Sequence, residues 1–183
     1  MGSFVYYTAT SLNGYIADEN NSLQWLFDVG PGPERFSDFI KNVGVQVMGA
    51  STYEWLLSNE KMLETSGKWQ QVFGDLPTRV YTSRTLPRPD SSSFEFLKGP
   101  VSEHVEDLKA LAGPRDIWVV GGGNLAAQFF DAGVLDRIHL TLAPVFLSGG
   151  IPILPRFVPS SSLRLIETRP QGQFVEILYD VIR

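Results

Sequence analysis

The sequence predicts an α/β domain with a mainly parallel central sheet, helices on its faces and an antiparallel hairpin at the C-terminal end. Short apolar, β-branched segments alternate with segments in which apolar residues recur at helical spacing. Continuous apolar runs at residues 45–48 (VQVM) and 117–120 (IWVV) are typical of strands covered on both faces. The chain closes with two extended segments that flank the turn signal Pro170-Gln171-Gly172.

The other strands are predicted from β-branched and aromatic residues between turn signals. They cover residues 4–9, 78–82, 94–97, 138–143 and 174–181, with a short extended piece at 14–17. Between the first strand and the first helix, residues 15–32 are predicted as a long loop. Loops of this length in a compact domain are often functional.

Helices are predicted from their start signals. Pro33 suits the first position of a helix, because its missing N–H would be unpaired there anyway. Ser51 or Thr52 is expected to cap a second helix and Ser102 a third, since a hydroxyl can accept from a free backbone N–H. A fourth helix is predicted over residues 124–132. No repeat or linker divides the chain, so residues 1–183 are interpreted as one domain.

The composition excludes several classes of function. The chain has 183 residues, 43% of them hydrophobic and 19% charged, which is typical of globular proteins. It has no cysteine, which excludes disulfides and thiol chemistry, and only two histidines, which argues against a metal centre. A net charge of −5 argues against a nucleic-acid partner. No apolar run approaches the roughly 20 residues that span a bilayer and no signal peptide is evident, so neither a membrane span nor secretion is expected and the location is predicted as cytoplasmic.

The triple glycine after residues 117–120 is the strongest local signal for a ligand. Backbone without side chains lets a ligand approach closely, and the N-terminus of the following helix favours phosphate. Gly121, Gly123 and Ala126 fit the pattern G-x-G-x-x-G/A. An ordinary Rossmann domain would place an acid about 20 positions further on, whereas residues 142–144 read LAP. A tight turn that only packs helix on strand stays open as an alternative.

Two further junctions resemble the first in chemistry. Gly49 ends a buried strand and is followed by hydroxyls, and Ser83-Arg84 follows the strand at 78–82. A hydroxyl with an arginine could hold a phosphate monoester such as the 2′-phosphate of NADP, although a solvated loop is the alternative. In an open α/β sheet the ligand binds beyond the carboxyl ends of the strands, and all three junctions are predicted at such ends.

Several motifs, in this order along the chain, resemble those of the dihydrofolate-reductase-like fold. The most similar branch is the riboflavin-biosynthesis reductase domain, found as the C-terminal half of bifunctional deaminase-reductases and in stand-alone relatives. The motifs are residues 11–17 (SLNGYIA) with Trp25-Leu26, 48–53 (MGASTY), 117–125 (IWVVGGGNL), 133–144 (GVLDRIHLTLAP) and 147–152 (LSGGIP).

The resemblance implies NADPH-dependent hydride transfer to a C=N or sugar-imine group of a pyrimidine or pteridine-type substrate. The implied activity is most like 5-amino-6-(5-phosphoribosylamino)uracil reductase or dihydrofolate reductase. It also implies a homodimer. The pyrophosphate would lie on the triple glycine and the adenosine phosphate beside Ser83-Arg84. The implied cofactor-binding residues are Met48, Gly49, Thr52, Ser83, Arg84, Gly121, Gly122, Gly123, Asn124 and Leu125.

The substrate side departs from the family pattern. Asn13 replaces the usual aspartate, and it is predicted together with Trp25 to contact substrate, because an aromatic ring can stack on a flat heterocycle. Dihydrofolate reductase has a carboxylate a few residues past the family tryptophan, and here that register holds Gly30. The catalytic acid is therefore unknown, with three candidates nearby: Asp28, Glu34 and Asp38.

Two functions follow from the sequence. The leading hypothesis is an NADPH-dependent reductase of a heterocycle. The alternative is a non-catalytic nucleotide-binding protein that keeps the fold, because the expected carboxylate is missing. No arginine or lysine cluster indicates a site for a substrate phosphate. His139, in an apolar strand, is interpreted as a hydrogen-bonded or edge histidine and not as a catalyst.

Overall fold

The computed structural model describes residues 2–32, 34–64 and 67–183. Its strands and helices, in chain order, are β1 (Phe4–Ser11), β2 (Tyr15–Ala17), α1 (Gln24–Phe27), α2 (Arg35–Lys41), β3 (Val43–Gly49), α3 (Ala50–Asn59), α4 (Lys68–Phe73), β4 (Thr78–Tyr81), β5 (Phe94–Leu97), α5 (Val105–Ala112), β6 (Asp116–Gly121), α6 (Gly123–Asp131), β7 (Arg137–Ala143), β8 (Ile151–Pro152), β9 (Leu163–Gln171) and β10 (Phe174–Val181). Short 3-10 turns precede α5 and β9.

The central sheet has eight strands in the order β5-β4-β3-β6-β1-β7-β10-β9. The strands from β5 to β7 pair in parallel, and β10 and β9 add an antiparallel hairpin beyond β7. A second, two-stranded sheet pairs β2 with β8. The predicted fold class, a mostly parallel sheet with a C-terminal antiparallel hairpin, is therefore confirmed.

Burial explains why the central strands lack polar alternation. Val45, Val47 and Val119 are fully buried in β3 and β6, because helices cover both faces of the parallel part of the sheet. On one face, Leu108 of α5 and Phe129 of α6 join these valines in the main core. This core holds the ends of β3 and β6 side by side, and both ends are glycine turns.

Three predictions about element ends are wrong. The residue before α3 is Gly49 instead of Ser51 or Thr52, and no side chain caps that helix. Ser102 lies within a 3-10 turn that follows Pro100, where its hydroxyl caps nothing. The C-terminal hairpin turns at residues 172–173, because Pro170 and Gln171 still pair with β10.

The short extended piece predicted at 14–17 is β2, but the interpretation of the rest of residues 15–32 as a loop missed α1. Helix α1 has four residues and follows Leu23, so it carries neither a polar cap nor a long apolar stripe. Helix α4 was also missed; it begins after Gly67, whose φ of 77° needs glycine. Pro33 lies outside the described residues, and α2 is described from Arg35 onward. No helix in the described part of the chain is long and apolar enough to cross a membrane.

Candidate functional site

A cleft of about 1050 Å³ opens at the carboxyl ends of β1, β3 and β6. Parallel strands end at the same edge of a sheet, so the first two predicted junctions meet there. Most of the residues expected to bind the cofactor line this cleft. They are Met48, Gly49, Thr52, Gly121, Gly122, Gly123, Asn124 and Leu125.

The turns after β3 and β6 face each other across a narrow gap. A Cβ atom added to Gly49 would lie 3.8 Å from the carbonyl oxygen of Gly121 and 3.9 Å from the nitrogen of Gly122. A Cβ added to Gly121 would lie 3.7 Å from the Thr52 hydroxyl, and Gly121 has a φ of 143°. The backbones of Gly49, Gly121 and Gly122 therefore form one surface without side chains, the glycine floor, which a flat ligand can approach closely.

Gly122 and Gly123 differ in what surrounds them. A Cβ on Gly122 would fit without a clash, in ordinary contact with Ile16 Cδ1 at 3.6 Å and Thr52 Oγ1 at 3.9 Å. A Cβ on Gly123 would collide with the carbonyl oxygens of Pro152 and Ile153. Gly122 thus keeps the cleft open, whereas Gly123 lets α6 pack against the strand segment that includes β8.

The cleft meets the N-termini of two helices, α3 and α6. The residues before them are Gly49 and Gly122, and neither helix has a side-chain cap. The first N–H groups of a helix lack intrahelical partners and carry partial positive charge, so an uncapped helix start is suited to an anionic group. Two uncapped helix N-termini that meet at the glycine floor are suited to bind the two phosphate groups of a pyrophosphate.

The third junction, after β4, is placed differently. Tyr81 lines the cleft, but Ser83 and Arg84 do not. The Arg84 guanidinium forms a bidentate ion pair with Glu54 of α3, with N–O distances of 2.8 and 2.6 Å. The hydroxyl of Thr82 accepts a hydrogen bond from the Arg84 backbone nitrogen at 3.0 Å, which fixes the start of this loop.

The residues predicted to contact substrate lie outside the cleft lining. Asn13 exchanges two hydrogen bonds with the backbone of Leu147, at 2.7 and 3.1 Å, and so ties the turn after β1 to the loop before β8. Trp25 is half-buried and donates from Nε1 to the carbonyl oxygen of Ser22 at 3.1 Å. Both have local structural roles in this conformation.

None of the three candidate acids lines the cleft. Asp28 and Glu34 are exposed, and Asp28 accepts a hydrogen bond from the Gln24 side chain at 2.7 Å. Asp38 pairs with Lys41 on the same helix, and this partner lowers the pKa of the Asp38 carboxyl. A carboxyl with a lowered pKa, held at the surface, is poorly suited to give a proton to a substrate.

The cleft wall is mostly apolar and aromatic, which the sequence did not predict. Phe27 of α1 and Trp55 of α3 lie with ring centroids 6.4 Å apart, and Phe73 of α4 lines the same cleft. Among the described lining residues, Glu60 is the one with a charged side chain. Much of this wall comes from α1 and α4, whose short sequences carry few helix signals.

A few polar atoms of the lining are buried without a partner among the described residues. They are Gln46 Oε1, Trp55 Nε1 and the Tyr81 hydroxyl. A buried polar group without a hydrogen bond costs free energy. A ligand that carries both donors and acceptors would recover that cost.

His139 differs from the sequence interpretation. It lies 6% exposed in β7, an interior strand, so it is not an edge residue. Its ring stacks on Tyr7 with centroids 3.9 Å apart. Its Nε2 atom lies 3.3 Å from Glu176 Oε1 but makes no hydrogen bond. Among the described residues, no group of three or more His, Asp or Glu side chains is arranged to hold a metal ion.

Comparison with known proteins identifies the family of the chain. Residues 4–175 match the family model described as the RibD C-terminal domain. The chain belongs to the RibD C-terminal domain family. The resemblance predicted from the sequence is therefore confirmed. The motifs that suggested this family include the two turns that form the glycine floor.

Proteins similar to this chain align with nearly its whole length. The uncharacterized protein YwjB of Bacillus subtilis is 33% identical over 179 residues, covering 96% of this chain and 95% of its own. A protein of Shewanella sp. PV-4 whose name connects it with riboflavin biosynthesis has a similar structure, with a TM-score of 0.80, 25% identity and full coverage of both chains. Dihydrofolate reductase from Enterococcus faecalis, solved with NADP(H), has the same fold, with a TM-score of 0.62 and 16% identity over 98% of this chain and 96% of its own.

Proposed function

We propose that this protein is an NADPH-dependent reductase of a flat, uncharged heterocycle of the pyrimidine or pteridine type. The observation that carries the proposal is the glycine floor, which joins two uncapped helix starts at the mouth of one large cleft. The family supports a reductase-like fold. NADPH, when bound, supplies a hydride.

The residues present fit the phosphate part of such a cofactor. Gly122 leaves space that a Cβ would fill, and Thr52 offers a hydroxyl beside it. The starts of α3 and α6 offer N–H groups and positive dipole ends to the pyrophosphate. Met48, Asn124 and the other lining residues of these two turns would contact the rest of the cofactor.

The lining chemistry favours an uncharged substrate. Glu60 is the one charged side chain among the described lining residues, so a phosphate on the substrate would find no cationic side chain to pair with. Aromatic walls at Phe27, Trp55 and Phe73 suit a flat ring system. The buried, unpartnered atoms of Gln46, Trp55 and Tyr81 suit a ring that carries both donors and acceptors.

The direct test is oxidation of NADPH in the presence of unphosphorylated aminopyrimidines and pteridines. We expect turnover with at least one of these compounds and weaker activity with its phosphoribosylated counterpart. A preference for the phosphorylated compound would contradict the assignment of substrate charge. NADPH binding without turnover on any compound of the panel would favour the alternative, a non-catalytic nucleotide-binding protein.

Arg84 is the residue proposed to select NADPH over NADH. We expect Arg84→Ala to weaken NADPH binding by about tenfold, the effect of losing one charge-assisted contact, and to leave NADH binding unchanged. Glu54 holds the Arg84 guanidinium in a bidentate pair, so a 2′-phosphate must compete with Glu54 for it. The matched variant Glu54→Gln should therefore bind NADPH more tightly. Fluorescence titration of both variants checks the two directions, and equal effects on NADPH and NADH would overturn the assignment.

A further inference from the structure

The outer part of the central sheet has two faces of opposite chemistry. It consists of β7, β10 and β9, which pair with one another in antiparallel register. Residues that pair directly project to the same face of a sheet, and successive residues of a strand alternate between the faces. The register therefore assigns each regularly paired side chain of these strands to one face or the other.

One face carries the charged side chains. Its titratable members are Arg137, His139, Arg164, Glu167, Arg169, Glu176 and Asp180. Helix α2 reaches this face through the ion pair of Arg35 with Glu167, at 2.9 Å. The cleft lies on the same side, because the residues of β7 and β10 that line it, Thr141 and Phe174, project there as well.

The opposite face has no charged side chain at any regularly paired position. Its members are Ile138, Leu140, Leu142, Leu163, Leu165, Thr168, Pro170, Val175, Ile177, Tyr179 and Val181. We call it the uncharged face. Since the charged positions of all three strands project to the other side, the segregation extends over the whole width of the outer sheet.

Part of the uncharged face is open to solvent. Ile138 and Leu163 still pack in the main core, but Leu165 is 53% and Val175 40% exposed. Ile166, the extra residue of the bulge in β9, is 48% exposed next to Leu165. An antiparallel sheet commonly packs its apolar face on a core and turns its polar face to water. Here the apolar face lacks a covering layer within one copy of the chain.

We propose that the uncharged face packs against the same face of a second copy of this chain. The sequence resemblance implied a homodimer without indicating where two copies would meet. Two copies that each carry a net charge of −5 repel one another, so they meet at the least electrostatic cost through a surface without charge. A two-fold axis brings such a surface against itself, and two sheet faces pack about 10 Å apart.

The area of the uncharged face is close to what a small stable interface needs. Three strands of about seven residues cover roughly 14 by 24 Å, or about 340 Å² in projection. Phe157 is 88% exposed and lies between Arg156, which pairs with Asp131 at the end of α6, and the start of β9. Its ring would add about 150 Å² at the margin. The smallest standard interfaces bury about 600 Å² on each partner, a value that the relief of the side chains brings within reach.

This inference does not rest on the proposed function. The partner would cover the side of the outer sheet opposite to Thr141 and Phe174, so the cleft of each copy would stay open. The dimer can therefore be disrupted without changing a residue of the cleft. Its tests need neither NADPH nor turnover, so a failure of this inference is distinguishable from a failure of the proposed function.

Light scattering during size-exclusion chromatography tests the inference on the wild-type protein. We expect twice the mass of one chain at micromolar concentration. The mass of a single chain throughout the micromolar range would overturn the inference and leave the uncharged face for a different kind of partner.

The variant Leu165→Arg tests whether this face is the one that pairs. The side chain is half exposed in one copy, so the fold should accept the charge, which a thermal melt checks. In the dimer the two-fold axis would bury the unpaired charge twice, so the dissociation constant of the dimer should rise by at least about 100-fold. The matched control is Leu111→Arg, which adds the same charge at an exposed position of α5 and should stay dimeric. A folded Leu165→Arg protein as dimeric as Leu111→Arg would overturn the inference.

Single cysteines test the same face even if Leu165→Arg does not fold. The chain has no cysteine, so an introduced one can be linked only to its copy in another chain. We expect a short bismaleimide to join two chains of Val175→Cys at micromolar concentration and to leave Leu111→Cys as single chains on a denaturing gel. Equal linking of the two variants, or no linking of Val175→Cys, would contradict a dimer through the uncharged face.

Discussion

Replacement of Gly122 by alanine is expected to weaken NADPH binding by one to two orders of magnitude. The added methyl group would stand in the gap between the turns after β3 and β6, with Ile16 and Thr52 at ordinary contact distance. The protein would accept this methyl group, but a pyrophosphate that needs the same space would not. Overpacking costs about 1–3 kcal/mol, which corresponds to a fall in affinity of about 5- to 150-fold.

Fluorescence titration with NADPH and a thermal melt of the same sample check this prediction. The melting temperature without ligand should stay close to that of the wild type, because Gly122 has φ −78° and ψ −175°, extended backbone that alanine adopts readily. Unchanged NADPH affinity in a folded Gly122→Ala protein would show that the cofactor does not lie on the glycine floor.

The neighbouring replacement, Gly123→Ala, is expected to act on stability instead. Its methyl group would meet the carbonyl oxygens of Pro152 and Ile153, which are backbone atoms and cannot swing away. Relief would require the start of α6 to separate from the segment that includes β8. We expect a loss of about 1–3 kcal/mol in the free energy of unfolding, measured by urea denaturation. A Gly123→Ala protein as stable as Gly122→Ala would contradict the packing described for this turn.

The parts of the fold that could be predicted from sequence are those governed by local patterns. The run at residues 117–120 predicted a strand covered on both faces, and β6 has that burial. Gly49 and the triple glycine marked the ends of two such strands, so their approach to one another follows from parallel pairing alone. For the same reason most of the predicted cofactor residues line one cleft.

The parts that could not be predicted depend on contacts between distant residues. Tyr7 and Glu176 are 169 positions apart, and only the register of β1, β7 and β10 brings them together. The pair formed by Arg84 and Glu54 likewise depends on how α3 packs beside β4. Helices α1 and α4 were missed because each is short and has no side-chain cap, so the aromatic wall that they contribute carried no signal.

The central claim, that the cleft is a cofactor site, is tested most directly by titrating the wild-type protein with NADPH and with NADH while following tryptophan fluorescence and thermal stability. A ligand that binds only the folded state at a hundredfold excess over its dissociation constant raises stability by about 2.7 kcal/mol. We predict saturable binding of NADPH that is tighter than that of NADH. Failure of both nucleotides to bind at millimolar concentration would contradict the claim and leave the glycine floor as a packing feature of the fold.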